Sequence, residues 1–141
     1  MSTPNPPNPE TDQASNGLIM VVDDSWLLET LQTFLQEQGY GVISAESGQQ
    51  ALEALHVCSR LPDLIITDMW VRDMNGAEFA LEVRKEPTCM RIPIIFLVAL
   101  DGDNRKLVKM VGMADYLHKP FAGEELLSTM ETLLKRRREI N

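Results

Sequence analysis

From Leu18 onward, short apolar runs alternate with segments whose apolar positions recur at helical spacing. LIMVV (18–22) is continuously apolar, the pattern of a strand buried on both faces. Between Ser25 and Gln38, residues Leu27, Leu28, Leu31, Phe34 and Leu35 fall on one helical stripe, and Gly39 supplies the stop. GVISAE (41–46) predicts a second strand, and Ser47 an N-cap for a helix to about His56. Pro62 precedes DLIIT (63–67), a third strand. A polar loop from Met69 to Asn75 leads to a helix over Gly76 to Lys85, which Pro87 prevents from continuing. IPIIFLV (92–98) predicts the fourth and most apolar strand, followed by a helix from about Asp103 to Val111 that ends at Gly112. ADYLH (114–118) is the fifth strand. The last helix runs from Gly123 to Arg137, with Glu124 and Glu125 near its positive end and Lys135 to Arg138 near its negative one.

Alternation of this kind implies right-handed crossovers and an α/β fold: a doubly wound, five-stranded parallel sheet with helices on both faces. No internal repeat and no second domain is evident. Residues 1–16, rich in Pro, Asn, Ser and Thr, are expected to form a disordered tail before a domain over 17–141, because they bury too little apolar surface to offset their ordering entropy. A length of 141 residues suits one domain with a sizeable core.

The net charge of −8 disfavours nucleic acid or anionic membrane as the main partner. The longest apolar stretch, Ile92 to Leu100, is too short to span a bilayer and contains a proline. The opening MSTPNPPNPE lacks the basic and apolar regions of a signal peptide. Cys58 and Cys89 have no metal-binding spacing and read as reduced thiols, which makes the cytoplasm the expected compartment.

Candidate chemistry lies at the strand ends. In a parallel sheet the carboxyl ends converge on one crevice. Asp23 and Asp24 close LIMVVDD, Asp68 closes DLIITD, Lys119 closes ADYLHK, and Val98 and Tyr116 fall at or near two more of these ends. Three neighbouring carboxylates are unfavourable unless some are protonated or a cation is present. Oxygen-only ligands suit a hard ion such as Mg2+, which keeps waters and accepts phosphate oxygens.

Four stretches, MVVDDS, LPDLIITDM with the following MNG, IPIIFLVA and GMADYLHKPF, occur in this order from residue 18 to about 137. In these the chain resembles the receiver domains of two-component response regulators, whose fold is flavodoxin-like. The resemblance implies that Asp68 is a phosphoacceptor that forms an acyl phosphate. It further implies a Mg2+ site in which Asp24 ligates directly, Asp23 through water and Trp70 through its backbone carbonyl, with Asp68 also among the ligands. Lys119 would pair with a phosphoryl oxygen, before a cis Pro120. Positioning and charge neutralisation are what phosphoryl transfer chiefly needs. The implied partners are a histidine kinase or a histidine phosphotransfer protein upstream and an unidentified protein downstream. With no output domain following, the chain is expected to stand alone and to signal through protein contacts, the face of the last two helices and last strand being the expected contact. A homodimer stays open.

Several residues depart from the family pattern. Val98 stands where receivers carry a Thr or Ser whose hydroxyl pulls onto the phosphoryl group and makes room for the aromatic at Tyr116. A hydrogen bond to a charged group contributes roughly 1.5–3 kcal/mol, a large share of the about 5.5 kcal/mol needed to turn a two-state equilibrium over. The expected conformational response is therefore weak or uses another route. Tyr116 reads equally well as a switching ring or as a half-buried strand aromatic. Trp70 and Leu100 are expected to restrict attacking water and slow self-dephosphorylation, and no other catalytic turnover is expected. Arg72 replaces a frequent proline, and its guanidinium is a candidate for competing for the carboxylates or recruiting phosphate. His56 and His118 read as ordinary helix and strand residues, and the Lys135–Arg138 run as a solvated helix end.

The competing reading is a phosphorylation-independent pseudo-receiver that acts as a protein-binding module. A phosphatase of small substrates lacks an evident pocket, and a nucleotide or flavin binder would want a glycine- or hydroxyl-rich first loop, which DDSW is not.

Overall fold

In the computed structural model, residues 16–99 and 104–140 are described. Five parallel strands, β1 (Leu18–Val22), β2 (Gly41–Ala45), β3 (Leu64–Asp68), β4 (Ile94–Val98) and β5 (Ala114–His118), form one sheet in the order β2-β1-β3-β4-β5. Five helices connect and cover them: α1 (Leu27–Glu37), α2 (Gly48–Val57), α3 (Gly76–Lys85), α4 (Arg105–Val111) and α5 (Gly123–Ile140). The predicted disordered tail and Leu100 lie outside the described residues, except Asn16, whose Nδ2 donates to the Gln38 carbonyl at 2.6 Å.

Side-chain alternation on the strands sorts the core into two layers. Ile19, Val21, Leu64, Ile66, Ile95, Leu97 and Leu117 pack against Leu31 and Leu35 of α1 and Leu126, Met130 and Leu133 of α5. Met20, Val22, Ile65, Ile94, Phe96 and Val98 face Ala51 and Leu55 of α2, Phe79 and Val83 of α3, and Val111 of α4. β1, β3 and β4 are buried along their whole length because helices cover both of their faces, and β1 and β4 are apolar throughout.

Boundaries follow local chemistry. The Ser47 hydroxyl accepts from Gln50 N–H at 3.0 Å, capping α2 as predicted. Asn75 and Glu78 form a reciprocal capping box that starts α3. After α3, Pro87–Cys89 adds a short 3-10 turn that apolar periodicity did not predict. α5 runs on to Ile140, past the predicted Arg137. Arg137 is not solvated as predicted: its Nη1 donates to the Asp63 carbonyl at 2.8 Å, where Asp63 also accepts from Leu18 N–H.

Candidate functional site

The crevice lies at the carboxyl edge of the sheet, and strand register determines which side chains meet there. Val22 pairs with Thr67, so the residues that follow, Asp23 and Asp68, end adjacent strands side by side. Asp68 in turn pairs with Leu97, one residue before Val98. The ladders continue past the strands: Asp23 N–H donates to Ala45 O at 3.0 Å, Met69 N–H to Leu97 O at 3.0 Å, and Lys119 N–H to Val98 O at 2.8 Å. These bonds fix the backbone from which the site residues project.

Asp23 and Asp68 are buried, whereas Asp24 is exposed. The Lys119 ammonium reaches across to Asp68 and donates to Oδ1 at 3.0 Å. The Lys119–Pro120 peptide is cis, as the resemblance implied. Asp23 Oδ1 accepts from both the amide (2.7 Å) and the hydroxyl (2.5 Å) of Ser25, so the residue that opens the first helical turn holds the carboxylate in place. Asp23 Oδ2 is buried and has no hydrogen-bond partner among the described residues. A buried, unpaired carboxylate oxygen is unfavourable and suits a cation or its water.

The donors therefore fit a hard divalent cation. Among the described residues, however, no three His, Cys, Asp or Glu side chains converge closely enough to hold a metal by themselves.

The loop after Asp68 is anchored from outside. Gly76 N–H donates to Met69 O at 2.6 Å, and a Cβ at Gly76 would stand 3.1 Å from the Asp68 carbonyl oxygen and 3.2 Å from Met69 Cα, so any larger residue would press the backbone beside Asp68 outward by a few tenths of an ångström. Asp73 accepts from Gly48 N–H at 2.8 Å and Gln49 N–H at 2.9 Å, capping α2 from a distant loop. Burial raises the Asp73 carboxyl, but those two N–H groups, with Arg72 adding to them, hold it below the usual carboxylate range. Arg72 Nη2 lies 3.8 Å from Glu46 Oε1, so it faces the second strand's end rather than the acidic trio. Trp70 keeps its backbone in a bridge with Asn75, and the residue is 71% exposed.

On the far side, Val98 is buried and Tyr116 half-buried. Tyr116 packs its ring edge-on to His118, with centroids 5.5 Å apart. Arg84 of α3 donates to Val111 O (3.0 Å), Gly112 O (2.8 Å) and Cys89 O (3.3 Å), tying α4's end to the start of β5. Burial lowers the Arg84 guanidinium from its ordinary value. Ser25, Asp73 and Arg84 were not singled out by sequence reasoning; only Ser25, directly after the paired aspartates, carried a local signal.

Comparison with known proteins places this geometry. The family described as "Response regulator receiver domain" matches residues 19–131. The chain is 35% identical over 120 residues to Response regulator MprA of Mycolicibacterium vanbaalenii, covering 84% of this chain and 50% of that protein. It is 32% identical over 120 residues to the phosphate regulon transcriptional regulatory protein PhoB of Pseudomonas aeruginosa, covering 84% and 52%. The solved structure of Vibrio cholerae chemotaxis protein CheY4 superposes with a TM-score of 0.75 at 33% identity, covering 82% of this chain and 97% of that one. The chain spans about half the length of the curated relatives it matches. Among the described residues no helix is long and apolar enough to cross a membrane.

Proposed function

The chain belongs to the response regulator receiver family, the signalling module of two-component systems, and we propose that it is a Mg2+-dependent phosphoacceptor charged at Asp68. Receiver domains are signalling modules rather than conventional enzymes, and they take phosphoryl groups from histidine kinases or phosphotransfer proteins. The observation that carries the proposal is the Lys119–Asp68 contact at 3.0 Å beside the unpartnered Oδ2 of Asp23.

In this reading Asp68 attacks the phosphorus of a phosphohistidine. A P–O bond forms as the P–N bond breaks, and the departing imidazole nitrogen takes up a proton. Asp23, Asp24 and the Trp70 carbonyl would hold Mg2+, which supplies charge neutralisation for the transferring group. Lys119 holds Asp68 Oδ1 before transfer and pairs with a phosphoryl oxygen after it. An apolar cleft of ≈ 520 Å³, lined by Trp26, Phe34, Phe121 and Leu126, shares Lys119 with the site and offers the phosphodonor a docking surface beside Asp68. The net charge of −8 supports output through protein contacts of this domain rather than direct nucleic-acid binding, and a cytoplasmic location goes with that role.

Val98 weakens the switch by withholding a hydroxyl, and it favours the second reading, a pseudo-receiver recognised without phosphorylation. Incubation with a phosphohistidine-bearing phosphotransfer domain and Mg2+ separates the two. Label passing to the wild type but not to Asp68→Asn supports the phosphoacceptor; no label on either supports the pseudo-receiver.

A further inference from the structure

Among the described residues, the buried polar or charged side chains are Asp23, Thr67 and Asp68. The two aspartates belong to the acidic site, and Thr67 stands one residue before Asp68. Side chains alternate along a strand, so Thr67 shares the face of Ile65 and points away from the Asp68 carboxylate. Its register partners are Val22 on β1 and Phe96 on β4, both fully buried and apolar. A valine has nearly the same shape and would suit that layer better, unless the hydroxyl is engaged. It is engaged: Thr67 Oγ1 donates to the main-chain carbonyl of Asp68 at 2.9 Å.

That carbonyl lies where the sheet loses its hold on one side. The ladder between β1 and β3 ends at Val22 and Thr67, whereas the one between β3 and β4 continues to Asp68 and Leu97. Resting on the phosphoacceptor reading, we infer that Thr67 is a positioning residue for phosphoryl transfer. Its hydroxyl fixes the rotation of the Asp68–Met69 peptide, and with it the Asp68 carboxylate on one side and the path to the Trp70 carbonyl on the other. The N–H of the same peptide is held by Leu97 O at 3.0 Å, and the next carbonyl, Met69 O, by Gly76 N–H at 2.6 Å. Of these three bonds only that of Thr67 comes from a side chain, so a substitution can remove it alone. The hydroxyl points away from the carboxylate and acts through the main chain. Mg2+ tolerates little displacement of its oxygens, because it demands near-octahedral geometry. Phosphoryl transfer is as demanding, since a misplacement of about 1 Å costs on the order of 10²-fold in rate.

Thr67→Val, Thr67→Ala and Thr67→Ser in the full chain test this. The readouts are a tryptophan-fluorescence titration with Mg2+ and the rate of phosphorylation by a small phosphodonor at saturating Mg2+. Thr67→Val keeps the shape and removes the donor. It should bind Mg2+ about tenfold more weakly and take up the phosphoryl group about tenfold more slowly, the size of a lost outer-shell partner. Thr67→Ser keeps the donor and should follow the wild type in both. A packing role predicts the reverse order, since valine fills the space that serine leaves empty. Thr67→Ala against Thr67→Ser isolates the hydroxyl a second time, with the methyl absent from both, and decides the matter should Thr67→Val fail to fold. Thr67→Val equal to the wild type, or Thr67→Ser impaired as much as Thr67→Ala, overturns the inference alone. A wild type that takes up no phosphoryl group overturns the phosphoacceptor reading and this inference with it.

Discussion

Lys119 Nζ and Asp68 Oδ1, which meet at 3.0 Å, belong to residues 51 positions apart in the chain. The contact exists because β3 and β5 both abut β4, which brings their carboxyl ends to the same edge. Its backbone is held by Lys119 N–H on Val98 O at 2.8 Å and Met69 N–H on Leu97 O at 3.0 Å. The fold itself thus holds the ammonium against the carboxylate, which is the preorganisation that the proposed phosphoryl transfer would require.

Replacing that ammonium tests its role. Lys119→Met keeps the length of the side chain and removes its charge. Phosphorylation by a small-molecule phosphodonor should slow about a hundredfold, the size of one lost oxyanion donor. Mg2+ binding, followed by tryptophan fluorescence, should persist. An unchanged rate would show that the contact only packs.

Asp73 gives the fold an acid-sensitive anchor. Its folded carboxyl sits below the ordinary value, so the stability it contributes is present above the unfolded carboxylate range and is lost as pH falls through the lower, folded value. Asp73→Asn should cost about 1 kcal/mol or less near neutral pH, in the range of a cap contact on an exposed helix end. The gap to the wild type should narrow in urea titrations taken to progressively lower pH. A gap that widens on acidification would contradict this assignment.

How far the sequence reveals these features depends on the range of the interaction. The apolar runs of β1, β4 and the Leu64–Ile66 part of β3 are legible because burial on both faces leaves no polar position to break them. The α1 stripe is legible too: Leu31 and Leu35 are its buried centre, and Leu27, Leu28 and Phe34 flank it. Ser47 is a local cap and was readable as one. Asp73 was not, since it caps a helix whose first residues lie 24 and 25 positions earlier in the chain. The same holds for Arg137, whose partner Asp63 is 74 residues away. Spacing placed Asp23, Asp68 and Lys119 at one edge, but the holding of Asp23 by Ser25 and the unpaired nitrogen of His118 emerge only from three-dimensional packing.

Arg84→Met tests the junction between α4 and β5. It keeps the aliphatic stem and strips donors from the carbonyls of Val111, Gly112 and Cys89. The expected loss is about 1–3 kcal/mol, the cost of leaving half-buried acceptors unpaired. Amide exchange should quicken across Val111 to Ala114, where Gly112 and Met113 hold positive φ. Faster exchange spread evenly over the sheet would instead indicate global destabilisation.

Val98→Thr separates stability from switching. At this buried position a hydroxyl without a partner costs about 1–3 kcal/mol. The unphosphorylated variant should therefore melt earlier than the wild type. With a phosphoryl mimic and Mg2+ it should show larger amide shifts between Val98 and Tyr116, because the hydroxyl then has an acceptor. A variant that melts earlier and responds no more strongly would remove Val98 from the explanation of the switch.

The most direct test of the central claim is the intact mass of the protein after incubation with a small phosphodonor, with and without Mg2+, for the wild type and for Asp68→Asn. The account predicts one added phosphoryl group on the wild type only when Mg2+ is present, and none on Asp68→Asn. An unmodified wild type, or an Asp68→Asn variant that gains the same mass, would contradict it.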